Sequence, residues 1–333
     1  MSSYRHFSAA SQFSVCLLTA LLIFPALTAR AAEKVKSAQL AIISTAPVYI
    51  AQEKGYFREF GVESEDTSFA SGAKMIPALH SGEIDVAGGG ISAGLFNSLA
   101  EGSDIRIVAD KGQFRPGYGF GFILVRKDLI DSGAVRSLAN LKGKKFAASG
   151  RGANSEYFLA KSMEMAGLNY TKDLNLIFLD LPNQLTAFAN KAIDASWANE
   201  PFGERAEQQG LAVRFLTADK VKGLEKTEVA VIFYSGKFIR EKHNTAARWM
   251  KAYVRAVKYY SERSQKDPEI AAIISKYTKV PPEVVQNSIP FYLESSGRVY
   301  VPSIKEQQDW FHEAGMVKTK VDVDKYVDMS FLE

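Results

Sequence analysis

The feature that most restricts the fold of this chain is a regular alternation of short apolar runs with stretches of helical spacing. Residues 37–44, 62–70, 84–87 and 105–110 read as strands, and residues 47–60, 72–81 and 91–100 between them carry helical periodicity. Strands separated by helices of about ten residues predict an α/β architecture. After a long apolar strand at 118–126 the pattern restarts. Strands are expected at 145–149, 174–180, 193–197 and 213–216, with helices at 153–166, 182–190 and 201–209. Another long strand follows at 228–234. The chain is then mostly helical, at 245–264, 268–277, 282–291 and 304–314, with a mixed tail at 321–332.

The two blocks resemble each other. Met75-Ile-Pro-Ala-Leu-His-Ser-Gly-Glu-Ile-Asp-Val-Ala87 lies on Gln184-Leu-Thr-Ala-Phe-Ala-Asn-Lys-Ala-Ile-Asp-Ala-Ser196 without gaps. Ala78 meets Ala187, and Ile84-Asp85 meets Ile193-Asp194. Any two βα units share some of this outline, so the match reads either as a repeat or as a common local pattern. As a repeat it predicts two similar α/β lobes, with residues 32–120 and 232–333 in lobe 1 and 121–231 in lobe 2. The long strands at 118–126 and 228–235 would then be the crossovers, and the C-terminal helices would pack on lobe 1. Solutes in such sheets bind beyond the carboxyl ends of strands, here in a cleft between lobes that closes by hinge motion.

The N-terminus reads as a cleaved signal peptide. Arg5-His6 is basic, residues 15–27 are apolar, and Ala29-Arg30-Ala31 offers a small-x-small exit. The apolar run is too short for a membrane span, which needs roughly 20 residues. Cleavage after Ala31 removes Cys16, the single cysteine, and leaves no position for an N-terminal lipid. A cysteine-free mature chain suits an oxidising compartment, so a periplasmic protein is expected. The net charge of +4 is small and dispersed, which excludes a nucleic-acid footprint.

Enzyme signatures are absent. His80, His243 and His312 are far apart in sequence, and no HExxH, GxSxG or Walker A motif occurs, so no metal site or cofactor is expected. The alternative is a dinucleotide-binding protein or exported enzyme built on Gly88-Gly-Gly-Ile-Ser-Ala93, which fits GxGxxA, with Asp110 about 20 residues on. The same glycines also read as a turn that a ligand or a neighbouring backbone approaches closely.

Loops at strand ends carry the candidate site. They contribute Thr45, Ala46, Ser71, Gly90, Lys111, Arg151, Asn154 and Glu200, with Tyr49 and Trp197, and also Phe69 and Phe114, as flat walls. Free N–H groups at helix starts bind anionic oxygens, and Arg151 adds a guanidinium fork. Glu200 precedes Pro201 and a helix, so it reads equally as a site carboxylate or as a self-cap.

Four segments resemble the nitrate/sulfonate/taurine substrate-binding proteins of ABC importers, a family that also holds thiamine-pyrimidine-precursor binders. They are Thr45-Ala-Pro-Val-Tyr-Ile-Ala-Gln-Glu-Lys-Gly-Tyr-Phe57, Gly82-Glu-Ile-Asp-Val-Ala87, Leu141-Lys-Gly-Lys-Lys145 and Asn199-Glu-Pro-Phe202. The resemblance implies a type II periplasmic-binding-protein fold of two lobes joined by two crossover strands. It implies a monomeric receptor that binds a small organic anion or a flat heterocycle without chemistry and hands it to a membrane permease and its ATPase. By motif position it carries the family site to Thr45, Ala46, Ser71, Gly90, Arg151, Asn154 and Glu200. The Cys-rich segment of the yeast pyrimidine-synthase relatives is absent, which disfavours that enzyme reading.

Overall fold

The computed structural model describes residues 31–69 and 72–333, together with Met1. The expected signal peptide and Ser71 therefore lie outside the described residues. Ala32–Glu333 forms one unit, and no helix among the described residues is long and apolar enough to cross a membrane.

Two five-stranded sheets organise the unit. The first contains β1 (Glu33–Gln39), β2 (Val62–Ser68), β3 (Val86–Gly90), β4 (Arg106–Phe114) and β10 (Thr227–Tyr234), in the order β2-β1-β3-β10-β4. The second contains β5 (Gly121–Arg126), β6 (Lys145–Ala148), β7 (Asn175–Phe178), β8 (Ala195–Asn199) and β9 (Ala212–Thr217), in the order β7-β6-β8-β5-β9. Directions repeat as well. β1 runs parallel to β2 and β3 while β10 is antiparallel to β3 and β4. Likewise β6 runs parallel to β7 and β8 while β5 is antiparallel to β8 and β9.

The internal match follows this symmetry residue by residue. Ala38 pairs with Ala87 in the first sheet, and Ala147 with Ser196 in the second, so the aligned residues hold the same register. Asp85 accepts a hydrogen bond from the Lys36 amide at 3.0 Å, and Asp194 accepts one from the Lys145 amide at 2.9 Å. Each aspartate satisfies an amide of the neighbouring strand that the ladder leaves open. Gly82 and its counterpart Lys191 both take left-handed backbone at the helix end, with φ of 69° and 55°.

Helices cover the sheets. The first block holds α1 (Ala46–Glu53), α2 (Tyr56–Glu59), α3 (Ile76–Ser81) and α4 (Ala93–Ala100). The second holds α5 (Lys127–Asp131), α6 (Asn154–Glu164), α7 (Leu181–Ala189) and α8 (Phe202–Gln208). The helix expected over 47–60 is split into α1 and α2, because Gly55 adopts φ 74° and interrupts the turn. The C-terminal part comprises α9 (Gly236–Glu241), α10 (His243–Arg263), α11 (Pro268–Thr278), α12 (Pro282–Asn287) and α13 (Val301–Glu313). α10 and α11 pack on α1, as expected, but α12 also reaches α8, and α13 reaches α6 as well as α4.

The crossovers need correction. β5 belongs wholly to the second sheet and β10 wholly to the first, so neither strand spans both. The chain passes between sheets in residues 115–120 and returns in 218–226. Residues 227–231, expected in lobe 2, pair with β3 and β4 instead, because β10 lies between β3 and β4 in the first sheet.

Candidate functional site

Parallel strands of both sheets end around one cavity of about 90 Å³. Leu40, Ile42 and Ser44 follow β1, Gly90–Ser92 end β3, and Gly72 joins them from the first sheet's side. Ser149, Ala153, Asn154, Leu181 and Asn199 line it from the second, with Phe120, Val229 and Ala230 completing the wall. The lining is apolar with hydroxyls and amides, and no charged side chain belongs to it. Asn199 lines the cavity, and its Oδ1 is buried with no hydrogen-bond partner among the described residues.

The two sheets' elements meet at this cavity. The Ala93 amide donates to the Gly152 carbonyl at 2.9 Å, and Ser92 and Ala153 form an antiparallel bridge. Asn154 Nδ2 donates to the Val229 carbonyl at 2.8 Å. Farther out, Lys74 and Asp180 pair at 3.6 Å. Gly90 sits under Asn154 because a Cβ there would lie 2.6 Å from Asn154 Nδ2.

The other glycines of the GxGxxA stretch are also accounted for by close packing. A Cβ on Gly88 would stand 2.3 Å from Gln39 Oε1 and 2.6 Å from Lys111 Cε. Gly89 lies against the backbone of Gly72, 3.0 Å from Gly72 Cα to the position its Cβ would take. The glycines thus serve neighbouring side chains and backbone, which is the turn alternative and not the dinucleotide one.

The expected site residues divide sharply. Gly90 and Asn154 line the cavity. Thr45 is buried beside it, its hydroxyl donating to the Leu40 carbonyl at 2.7 Å, and Ser44 rather than Thr45 reaches the wall. Ala46 is buried in the first turn of α1. Tyr49 is not a wall: it stacks on Tyr277 at 4.4 Å and donates to the Leu40 carbonyl. Trp197 and Phe114 are core residues packed on Phe158. Phe69 is half-buried outside the lining. Arg151 is exposed and also outside the lining.

Glu200 is fully engaged by protein. It accepts from Arg214 Nη2 at 2.6 Å, from the Ile289 amide at 3.0 Å and from the Glu204 amide at 3.2 Å. Burial pushes its carboxyl above the ordinary value, with Arg214 and the amides acting against that shift. It caps α8 and ties the second block to the chain beyond α12, so the self-cap reading describes it.

Lys111 is completely buried in the middle of β4. Its ammonium donates to Thr45 Oγ1 at 3.1 Å and to Ser44 Oγ at 3.5 Å. Burial lowers it to about 7, with Asp110 opposing the shift. On the other side of the strand, Asp110 and Glu228 form a buried carboxyl pair. Asp110 accepts from the Gly112 and Glu294 amides at 2.8 and 2.7 Å, and Glu228 from the Tyr300 amide at 2.7 Å. Desolvation raises both, Glu228 well above the ordinary carboxyl value.

Sequence reasoning missed Leu40, Ile42, Phe120, Leu181, Val229 and Ala230. As apolar residues in strands, loops and a helix start they carry no signal that separates them from core residues. Asn199 was within a recognised segment, but only the fold shows that it lines the cavity.

The NMT1-like family matches residues 29–275, about three-quarters of the chain. The chain belongs to that family. Among relatives, YtlA of Bacillus subtilis, named as an inferred binding protein, is 25% identical over 279 residues, covering 83% of this chain and 80% of YtlA. Among solved structures, the alkanesulfonate-binding protein SsuA from Xanthomonas axonopodis pv. citri, bound to MOPS, superposes with a TM-score of 0.72. It is 21% identical, and the match covers 90% of this chain and 99% of SsuA. The periplasmic nitrate-binding protein NrtA from Synechocystis PCC 6803 gives a TM-score of 0.74 at 17% identity, covering 91% and 88%. The NMT1-like chain therefore has the periplasmic-binding-protein fold, in agreement with the resemblance read from its motifs.

Proposed function

We propose that this NMT1-like protein is an exported solute receptor that delivers its cargo to the permease and ATPase of an ABC importer. The observation that carries the reading is the cavity itself. It lies at the carboxyl ends of parallel strands from two equivalent sheets and is walled by both, with Ser44, Asn154 and Asn199 as polar lining residues. The names of the relatives, YtlA and an inferred ABC-transporter periplasmic binding protein of Brachyspira hyodysenteriae, support the same reading. The apolar run before Ala31 supports export.

The solute is small. A water needs on the order of 10–15 Å³ of such space, so the cavity suits a solute of roughly six to nine non-hydrogen atoms. Its body is apolar enough for Leu40, Ile42, Ile91, Phe120 and Leu181. Domain closure, as 32–114 with 227–333 against 121–217, would trap it, and no reaction is performed on it.

Native mass spectrometry of protein purified without denaturation, followed by a thermal-shift panel of small acids, amides and heterocycles, tests the proposal. A receptor carries or accepts one solute class and gains melting temperature with its concentration by mass action. Turnover of the bound compound, or no stabilisation by any class together with no copurified ligand, counts against it.

A further inference from the structure

Lys111 lies just behind the cavity wall, and the receptor reading gives it no role so far. It is fully buried, and among the described residues no carboxylate lies within ion-pair distance of its ammonium. Its hydrogen-bond partners are two hydroxyls, those of Thr45 and Ser44. A buried ammonium without a counter-charge is costly, and proteins pair such groups or let them lose the proton.

The two hydroxyls are not equivalent. Thr45 spends its own proton on the Leu40 carbonyl. Ser44 accepts from Lys111 and has no acceptor for its proton among the described residues, while the same side chain lines the cavity. A donor chain therefore runs from Lys111 Nζ to Ser44 Oγ, with the Ser44 proton left to point at whatever occupies the cavity. Donation from an ammonium strengthens the next donor in such a chain.

Resting on the receptor reading above, we propose that Lys111 supplies, through Ser44, the positive charge that recognises an acidic group on the solute. It acts as a specificity-determining residue one atom layer behind the wall. Binding then brings the missing counter-charge and draws a proton onto Lys111.

The surroundings of Lys111 are consistent with that coupling. On its own strand Asp110 is the neighbouring carboxyl, and it engages Glu228 of β10 and the amides of Gly112 and Glu294. β1 presents Gln39, β3 presents Gly88, and the turn before α1 presents Ser44 and Thr45, none of which titrates. Lys111 stands at about 7 in the unliganded protein. An acid in the cavity raises that value, so affinity for the acid is greatest below about pH 7. Above it, affinity falls by about tenfold per pH unit until the bound-state value is reached.

Calorimetric titrations with ethanesulfonate and propionate, against their uncharged partners ethanesulfonamide and propionamide, test this at pH 6.5, 7.5 and 8.5. Tris and bis-tris propane serve as buffers, so that no buffer anion competes. The expected result is a preference of at least tenfold for the acids at pH 6.5 that declines with pH, with proton uptake on binding visible as a buffer-dependent heat. Lys111→Met should abolish both the preference and the pH slope, and Ser44→Ala should weaken the preference while keeping the fold by melting temperature. A pH-independent affinity for the acids, or an undiminished preference in Lys111→Met, overturns the proposal. Binding of the amides but not the acids also overturns it and leaves the receptor reading standing. No binding of either acid at pH 6.5 overturns it too, and the receptor reading is then judged by copurified ligand alone.

Discussion

Asn154→Ala tests whether the Asn154–Val229 hydrogen bond stabilises the proposed closed state. In the wild-type protein Asn154 Nδ2 donates to the Val229 carbonyl across the two sheets' elements at 2.8 Å. Val229 is buried, so with Asn154 removed its carbonyl is left without this donor whenever the cavity is closed, and is rehydrated when it opens. Leaving a buried acceptor unsatisfied costs about 1–3 kcal/mol, and the whole cost falls on the closed state. At about 1.4 kcal/mol per factor of ten, solute affinity should drop by about 5- to 150-fold. Calorimetry with the copurified solute measures the first quantity. Small-angle scattering of the unliganded variant measures the second consequence, a larger radius of gyration as the closed population falls. Wild-type affinity together with a wild-type radius would refute the argument and make the Asn154–Val229 contact incidental to closure.

Glu200→Ala should lower stability by about 3 kcal/mol, since it strips the Ile289 and Glu204 amides and Arg214 of a buried acceptor, yet leave affinity per folded molecule unchanged. Weaker calorimetric binding at an unchanged melting temperature would return Glu200 to the site. Arg151→Ala should alter solute affinity by less than about threefold, because an exposed guanidinium outside the lining is well solvated. A tenfold loss would show that the loop folds inward around the solute. Glu228→Gln should flatten the pH dependence of stability. A carboxyl raised by burial stabilises fully below its unfolded value, near pH 4, and that contribution is lost as pH climbs through the raised folded value. The melting-temperature difference, variant minus wild type, should therefore grow between pH 5 and 8; parallel curves would mean that Glu228 stays charged throughout.

Much of the fold was legible because βα alternation is a local signal, and the internal match was legible for a reason that only the structure exposes. The Ile-Asp dipeptides at 84–85 and 193–194 repeat because each aspartate closes an open amide on the adjacent strand at the same register. Boundaries were less legible. β4 was expected to stop at Asp110, where the apolar pattern ends, but the strand continues to Phe114. It continues because Asp110 finds the Gly112 and Glu294 amides and Lys111 finds Ser44 and Thr45. Those partners are supplied by tertiary structure, and polar residues in mid-strand otherwise read as a strand end.

The site was legible at the level of loops and not of side chains. Strand ends at 44–45, 90–92, 149–154 and 197–200 do converge, yet which residue of each faces the cavity depends on distant partners. Glu200 looked available because Arg214 and Ile289 are invisible to a local reading, one 14 and the other 89 residues away. Trp197 looked like a wall because nothing in its neighbourhood announces Phe114 and Phe158.

The same dependence explains the Gly88-Gly-Gly90 run, whose topological counterpart in the second sheet is Trp197-Ala-Asn199. The second sheet keeps side chains there, and Asn199 presents one to the cavity. The first sheet forgoes them, and each omission admits a particular neighbour. Gly88 makes room for Lys111 and Gln39, Gly89 for the Gly72 backbone, and Gly90 for Asn154. Two sheets of equivalent topology thus differ at the last three residues of the matching strands. One offers a fixed amide oxygen. The other offers smooth backbone with a buried ammonium behind it, reachable through Ser44. On the proposal above, an acidic group of a solute would be recognised from the first sheet's side through Ser44, although no charged side chain among the described residues lines the cavity.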